Sequence, residues 1–430
     1  MIVARPVKVG VLGAGIVGSG VISVLARKGD RIAQTLGARI EVSRILVRDV
    51  TRQRDASIHR GLLTTDAEAI LDDPEIAVVV ELLGGEEPAR TYIERALSAG
   101  KHVVTANKEV IAKHGYELLQ IADRHRVNLF FEASVGGGIP IIRVVRRDLV
   151  ANDISQIQAI INGTTNFILT AMADGREYAD ALAEAQRLGY AEADPRNDVE
   201  ATDAAYKLSI LTTLAFRADV RPERIHRIGI TDLAEKDFRY ASEMGYVVRL
   251  VATARLVDGV IEANVHPTLL PRDHHLASVN GVFNAVLIDG DEVDKLVLYG
   301  RGAGAQPTSS AVLADLCAIV ADIVAGVAQR VDFPATSPPV RAFGETTARF
   351  YLRLSVADEP GVLAQIARAL GDSGISIASC IQKESDEEAR VAEIVIMTHT
   401  ARQSAMTEAL QKILHLSCTR QVSASIRVDR

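Results

Sequence analysis

The chain has 430 residues, 48% hydrophobic and 24% charged, the balance of a globular protein large enough for two or three domains. A net charge of −7, 4% aromatic content and no tryptophan leave neither the basic footprint nor the stacking surface of a nucleic-acid-binding protein. The three cysteines (Cys317, Cys380, Cys418) lie far apart in apolar runs, as reduced core thiols do; the first residues lack a signal-peptide layout, no apolar run reads as a membrane span, and a cytoplasmic protein with no membrane partner is expected.

Lys8–Leu12 is a β-branched run, followed by Gly13-Ala14-Gly15-Ile16-Val17-Gly18 and an apolar-periodic helix through Arg27. Strand, glycine turn and helix in that order make a dinucleotide site. The first glycine forms the turn, the second admits the pyrophosphate and the third lets helix and strand pack. The second strand, Glu41–Val47, ends at Arg48-Asp49. An acid there grips the ribose hydroxyls of NAD, whereas an arginine accommodates the 2′-phosphate of NADP. Arg48, backed by Arg52 and Arg54, favours NADP, with NAD as the alternative. Ala77–Leu82 and His102–Thr105 read as buried parallel strands, leading into Leu83-Gly84-Gly85 and Thr105-Ala106-Asn107-Lys108-Glu109. Ligands of open α/β sheets sit at such strand ends. Lys108 is therefore placed to touch a phosphate, hold a substrate carboxylate or polarise a carbonyl.

Leu129–Ser134 reads as a strand entering Val135-Gly136-Gly137-Gly138-Ile139-Pro140, a turn able to bind an ion or admit a ligand, or simply a tight turn. Ile157–Ile161 is a strand ending at Asn162-Gly163-Thr164-Thr165-Asn166, before a helix Phe167–Met172 with Thr165 or Asn166 as its N-cap. The most informative stretch is Gly189–Lys207. Glu192, Asp194, Asp198 and Glu200 crowd into a Pro-containing loop, and the apolar run from Ala201 to Phe216 then carries charge only at Asp203 and Lys207. Four residues apart, these two share one helix face. A charged pair on a buried helix is costly unless partnered. A structural salt bridge is the plain alternative, and the neighbouring acid-rich loop favours a site.

Strands follow near Val247–Leu256, Ile261–Leu269, Gly281–Ile288 and Val293–Tyr299, the last two a hairpin around Asp289-Gly290-Asp291. Tyr299-Gly300-Arg301-Gly302-Ala303-Gly304 then opens onto a long apolar helix, Ala311–Val327, suggesting an approach to the cofactor or a return to the first domain. Asp332–Thr347, with Pro334, Ser337, Pro338 and Pro339, reads as a linker. Beyond it stands a ferredoxin-like β-α-β-β-α-β order: Phe350–Val356, Gly361–Leu370, Ser376–Gln382, a charged turn E-S-D-E-E-A-R, Val391–Thr398, Ser404–Leu414 and a strand within Ser417–Val428.

Together, G-A-G-I-V-G, T-A-N-K-E, N-G-T-T-N, the G-Y-A-E-A-D-P…D…D…K stretch and Y-G-R-G-A-G resemble homoserine dehydrogenase along essentially the whole chain. The 189–207 motif is the specific one. The resemblance implies NAD(P)H-dependent reduction of L-aspartate 4-semialdehyde to L-homoserine, on the route to threonine, methionine and isoleucine. It implies Lys207 as proton donor, Asp203 as the group that orients substrate or lysine, and Lys108 at the nicotinamide–substrate junction. Glu192, Asp198, Gly163, Thr164 and Tyr190 fall at the substrate. Gly13 to Gly18, Arg48, Leu83, Gly84, Thr105, Lys108, Gly302 and Gly304 fall at the cofactor. Glu132, Val135, Gly137 and Ile139 resemble the family's monovalent cation site, for sodium, made largely of backbone carbonyls. Ala201 departs from the family, which has Gly two before the helix aspartate; as a small, good helix former it is expected to leave the site intact.

Asp358-Glu359-Pro360-Gly361-Val362-Leu363 resembles the signature of ACT domains, which bind amino acids and pair through their sheets; L-threonine is the implied effector, and a dimerisation module without ligand is the alternative. The expected fold is α/β: a Rossmann-type doubly wound sheet over 1–134 with 300–330 packing back on it, a central α+β catalytic and dimerisation domain over 135–299, a linker 331–348 and an ACT domain over 349–430. A homodimer or homotetramer is expected. An amino-acid dehydrogenase acting at a C–N bond would share the first domain but need no such 189–207 stretch, and a binding protein with a dead site would have no reason to keep Asp203 and Lys207 together with Lys108.

Overall fold

The computed structural model describes residues 4–327, 338–386 and 390–429. Its first sheet is parallel: β1 (Ala4–Leu12), β2 (Ala38–Leu46), β3 (Leu63–Thr64), β4 (Ile76–Glu81), β5 (His102–Thr105) and β6 (Leu129–Phe130), in the order β3-β2-β1-β4-β5-β6. A parallel sheet must be covered on both faces, hence strands as apolar as I-A-V-V-V-E. Val78 and Val80 pack in one core with Val21 and Ile22 of helix Ile16–Leu36 and Val312 and Leu316 of helix Ala305–Ala325. Val79 packs in the other with Ile93, Val110 and Leu118 from helices Ala89–Ser98 and Lys108–His125. The strand order reverses between β1 and β4, so the loops leaving their carboxyl ends share one crevice.

The second sheet has eleven strands: β7 (Ile154–Ile160), β8 (His226–Arg227), β9 (Tyr246–Val257), β10 (Val260–Pro271), β11 (Phe283–Gly290), β12 (Asp294–Arg301), β13 (Thr347–Ala357), β14 (Ile377–Asp386), β15 (Val391–Thr398), β16 (Ala401–Arg402) and β17 (Thr419–Val428). Its main path runs β12-β11-β7-β9-β10-β17-β13-β15-β14. The β-α-β-β-α-β tail therefore continues the central sheet. β17 pairs in parallel with β10, Arg427 opposite Thr268 and Val428 opposite Leu269. The tail's helices Val362–Gly371 and Gln403–Leu414 cover one face in a core of their own. Tyr351, Val395 and Ile426 on the other face join the central core beside Phe238 and Tyr240.

Several elements differ from the sequence reading. The strand expected over Leu129–Ser134 stops at Phe130 and tightens into a 3-10 turn, Glu132–Ser134. There the Glu132 amide donates to Asp315 (2.7 Å), which withdraws it from the ladder. The helix expected from Phe167 begins at Gly163, because Asn162, not Thr165 or Asn166, is the N-cap. β14 extends through Asp386, so part of the expected charged turn is strand; 387–389 lie outside the described residues. Of the expected linker, 328–337 also lie outside them, while Val340 bridges Ile261 and Thr347 opens β13. Helix Ala305–Ala325 starts earlier than expected and, against expectation, has the length and apolar composition of a membrane span. Its Val312, Leu316, Ile319 and Val320 are buried in the first domain's core.

Candidate active site

The glycine turn after β1 has the three properties its spacing implies. Gly13 sits at φ 107°, and a Cβ there would lie 2.7 Å from the Leu82 carbonyl. A Cβ on Gly18 would strike the Gly13 carbonyl, so helix and strand touch through it. Gly15, the N-cap of helix Ile16–Leu36, faces open space, with Ala14, Ile16 and Val17 around it and Ile16 78% exposed. Free amides of a helix start aimed into open space suit a pyrophosphate. Beyond β2, Arg48 is exposed, while the Asp49 carboxylate accepts from the Thr51 amide (2.7 Å) and hydroxyl (2.6 Å) and is spent on its own turn.

Across the crevice, Glu81 at the end of β4 is fully buried. It accepts from the Leu83 amide (2.7 Å) and the Thr105 hydroxyl (2.5 Å), and burial raises its carboxyl pKa. Thr105 in turn accepts from the Asn107 amide (2.9 Å), and Asn107 caps helix Lys108–His125. Asn107 Nδ2 also donates to the Gly85 carbonyl (2.7 Å), beside Gly84 at φ 78°. One buried glutamate thus fixes both loops flanking Lys108. Sequence reading missed it, although an acid inside A-V-V-V-E-L was its signal.

Helix Thr202–Ala215 presents the charged pair. Lys207 Nζ donates to Asp203 Oδ2 (2.6 Å) and to the Ile161 carbonyl (2.9 Å), while Lys108 donates to Asp203 Oδ1. Asn162 Nδ2 donates to Asp203 Oδ2 (2.8 Å) and Asp198 Oδ1 (2.7 Å), and its Oδ1 accepts from the Thr165 amide (2.8 Å). Asn162 is the second residue the sequence reading passed over; its signal was its place at a strand end before a helix.

The electrostatics separate the two lysines. Burial pushes the Lys207 ammonium pKa down, and Lys108 pushes it further, against the pull of Asp203. For Lys108 burial is outweighed by Asp203, with Asp198 and Glu192 adding, and its pKa is raised. Burial alone would raise the Asp203 carboxyl, but the two ammonium groups hold it below the usual range. Asp198 moves up through burial, opposed by Asn162. A cavity of about 270 Å³ opens onto Gly84, Lys108, Ser134, Gly137, Lys207 and Gly302, from both sides of the crevice. Gly304, at φ 121°, is the N-cap of helix Ala305–Ala325 behind it.

The other predicted residues are less tightly gathered. Glu192 is exposed, and its charge helps raise the Lys108 pKa. Thr164 donates to the Tyr190 carbonyl (2.6 Å), and the Tyr190 ring meets Phe167 edge-on at 5.1 Å, so these two tie the loop to helix Gly163–Ala173. A Cβ on Gly163 would lie 2.9 Å from the Val282 carbonyl. The Glu132 carboxylate is turned inward onto the Ile142 and Arg143 amides (both 2.8 Å), leaving backbone to represent it in the turn with Val135, Gly137 and Ile139. Ala201 is not in the helix: it is the N-cap, fully buried at φ 63°. This corrects the helix-former argument, since the position demands left-handed backbone, which glycine adopts freely and alanine only under strain.

A nucleotide crevice closed by a buried ammonium–carboxylate pair is the working part of a nicotinamide-dependent oxidoreductase, and comparison with known proteins narrows this. Residues 140–317 match the homoserine dehydrogenase family, 13–132 the homoserine dehydrogenase NAD-binding domain and 350–415 the ACT domain. The homoserine dehydrogenase of Synechocystis sp. is 42% identical over 437 residues, covering 98% of this chain and 99% of its own. That of Pseudomonas aeruginosa is 41% identical over 433 residues, covering 99% of each. The crystal structure of a homoserine dehydrogenase from Thiobacillus denitrificans has a TM-score of 0.92 at 43% identity, over 99% of this chain and 98% of that one. A hyperthermophilic archaeal homoserine dehydrogenase mutant in complex with NADPH has a TM-score of 0.62 at 30% identity, over 73% of this chain and 96% of that one. The chain belongs to the homoserine dehydrogenase family.

Proposed function

We propose that this homoserine dehydrogenase reduces L-aspartate 4-semialdehyde to L-homoserine with Lys207 as proton donor and Asp203 as the group that holds it. When bound, the reduced nicotinamide supplies the hydride that adds to the aldehyde carbon. The aldehyde oxygen becomes an alkoxide, and Lys207 gives it a proton. An ammonium with a lowered pKa, fixed by Asp203 and the Ile161 carbonyl, is a better acid than a solvated lysine. Lys108, whose pKa is raised, keeps its charge and stabilises the developing anion. Asp198 and Glu192 are the carboxylates on hand for the substrate's ammonium.

The observation that carries this reading is that Lys207 and Lys108 line one cavity with Gly84 and Gly302. NADPH is the proposed reductant: Arg48 is exposed where a 2′-phosphate would lie, Asp49 is occupied by Thr51, and the archaeal relative was solved with NADPH. The carbonyls of Glu132, Val135, Gly137 and Ile139, on a turn with Gly136 and Gly137 at φ 71° and 55°, are oxygen donors suited to a hard cation, proposed as sodium. The D-E-P-G turn, with Asp358, Pro360 and Leu363 exposed, Val362 buried and Gly361 at φ 87°, is the proposed threonine site. Nicotinamide oxidation with aspartate semialdehyde, followed in parallel with NADPH and NADH, tests the reading. Faster turnover with NADPH is expected; no oxidation of either overturns it.

A further inference from the structure

Asn284, the second residue of β11, is fully buried with half of its amide unpaired. Its Nδ2 donates to the Ile160 carbonyl (2.9 Å), whereas its Oδ1, buried as well, has no hydrogen-bond partner. A carbonyl oxygen only accepts, so Ile160 fixes which end of the amide faces it and the amide oxygen points the other way. Leaving a buried acceptor unmade costs more than one hydrogen bond contributes. Stability alone therefore gives no reason for an asparagine at this position.

Each end of the amide meets backbone that shapes the active site. The β7–β11 ladder ends at the pair of Ile160 with Ala285, and the next residue, Ile161, supplies the carbonyl that accepts from Lys207 Nζ (2.9 Å). Asn284 thus grips the peptide just before the one that holds the lysine and carries the strand geometry beyond the ladder. Asn162 follows at once, as the N-cap that binds Asp203 and Asp198. On the oxygen side, Asn284 pairs with Gly300 of β12, and residues two apart share a sheet face, which brings position 302 against the amide. A Cβ on Gly302 would fall on Asn284 Oδ1. Gly302 lines the same cavity as Lys108 and Lys207. Its loop is held from the other side too: a Cβ on Gly137 would strike the Gly302 carbonyl, and the Gly138 amide donates to the Arg301 carbonyl (3.1 Å).

We propose that Asn284 is a positioning residue for the reduction: its amide nitrogen holds the Ile160–Ile161 backbone that carries Lys207, and its amide oxygen takes the space that a side chain at 302 would fill. One group thereby sets the lysine and the Gly302 loop relative to each other. Asn284 does not itself line the cavity; it acts through the Ile161 carbonyl. The inference rests on Lys207 as the proton donor. It also gives position 302 a reason to be glycine besides the approach of a nucleotide.

Steady-state kinetics of full-length Asn284→Ala with aspartate semialdehyde and NADPH test this, beside a melting curve showing that the variant is folded at the assay temperature. With the lysine displaced, kcat should fall about tenfold or more while NADPH affinity stays within about threefold of wild type. Weakening the Ile161 contact removes a bond to the charged form of Lys207, so the alkaline limb of the kcat profile should move to lower pH by about half a pH unit or more. Asp203, Lys108 and Asp198, the charged groups that face Lys207, are unchanged in this variant. Asn284→Leu, which fills the space without the donor, should behave alike and stands in should the alanine variant unfold. A residue that only braced the sheet would lower the melting temperature and leave the limb in place, and an unmoved limb overturns the assignment whatever happens to kcat. Lys207→Ala separates the two failures. If it keeps wild-type kcat, the proton-donor reading falls; if it is inactive while the folded Asn284 variants keep the wild-type limb, only the role of Asn284 falls.

Discussion

Asp203 is where three parts of the chain meet: Lys207 from its own helix, Lys108 from the helix that follows β5 and Asn162 from the strand end of the second sheet. Replacing it with asparagine leaves the buried Lys207 ammonium, and the half-exposed Lys108, without their counter-charge, a loss of about 3–5 kcal/mol by the precedent of broken buried pairs. The cost depends on pH. Asp203 is depressed below its unfolded value, so its contribution is present above pH about 4 and is lost as pH falls through the folded pKa. The gap in melting temperature between wild type and Asp203→Asn should therefore be full at neutral pH and close in acid; a gap that widens in acid would contradict the ion cluster. Ala201 offers a second check. At φ 63° and fully buried, it should not accept a β-branched side chain, and Ala201→Val should cost about 2 kcal/mol or more in a chemical denaturation series, while Ala201→Gly stays within about 1 kcal/mol. The Asp203–Lys207 pair was legible because four residues on a helix is a local rule. Lys108 as the third partner, 95 residues away, was not, and neither was the left-handed backbone at Ala201, because residue type alone does not report φ.

Elements were read most securely where a local pattern decides them. The glycine turn, the buried parallel strands and the tail's β-α-β-β-α-β order all follow from short-range periodicity. The errors fall where a distant partner competes with that pattern. Asp315, from a helix 183 residues downstream, takes the Glu132 amide and ends β6 early. Asn162 starts its helix four residues before the apolar run because its side chain both caps and bridges. Asn162→Ala should thus lose about 1 kcal/mol of capping and a larger share of kcat, which steady-state kinetics and denaturation on one preparation would separate. β10 gives another test. Burial, with Arg427 adding, drives the His266 pKa down to about 3, so wild type loses stability as pH falls from about 6.5 toward that value. His266→Asn removes this term, and its melting temperature relative to wild type should rise over that interval. A flat difference would mean that the imidazole is not buried neutral.

At the scale of the molecule, the tail is sewn into the central sheet. Sequence analysis expected a module beyond a linker, and nothing local reveals that β17 will pair in parallel with β10. The junction also holds a buried ionic knot. Arg353 of β13 donates to Asp237 (2.7 and 3.1 Å) and Glu393 (3.1 Å), while the hydroxyls of Tyr351 and Tyr240 reach Asp237 (3.2 Å) and Glu393 (2.5 Å). Asp237 lies in helix Glu235–Glu243, and Ile230, in the segment before that helix, donates to the Val199 carbonyl (2.9 Å), next to Asp198. Removing the arginine strands two carboxylates in the core. Arg353→Ala should cost about 3–5 kcal/mol and split one calorimetric transition into two, the tail melting first. A single unshifted transition would show that the sheet alone holds the tail.

Turnover in this enzyme rests on one ammonium group delivering one proton. Lys207→Ala, assayed with aspartate semialdehyde and NADPH alongside a fluorescence titration of NADPH binding, addresses it directly. A fall in kcat of about 10²–10⁴ with NADPH affinity within about twofold of wild type is the predicted result; a kcat close to wild type would contradict it.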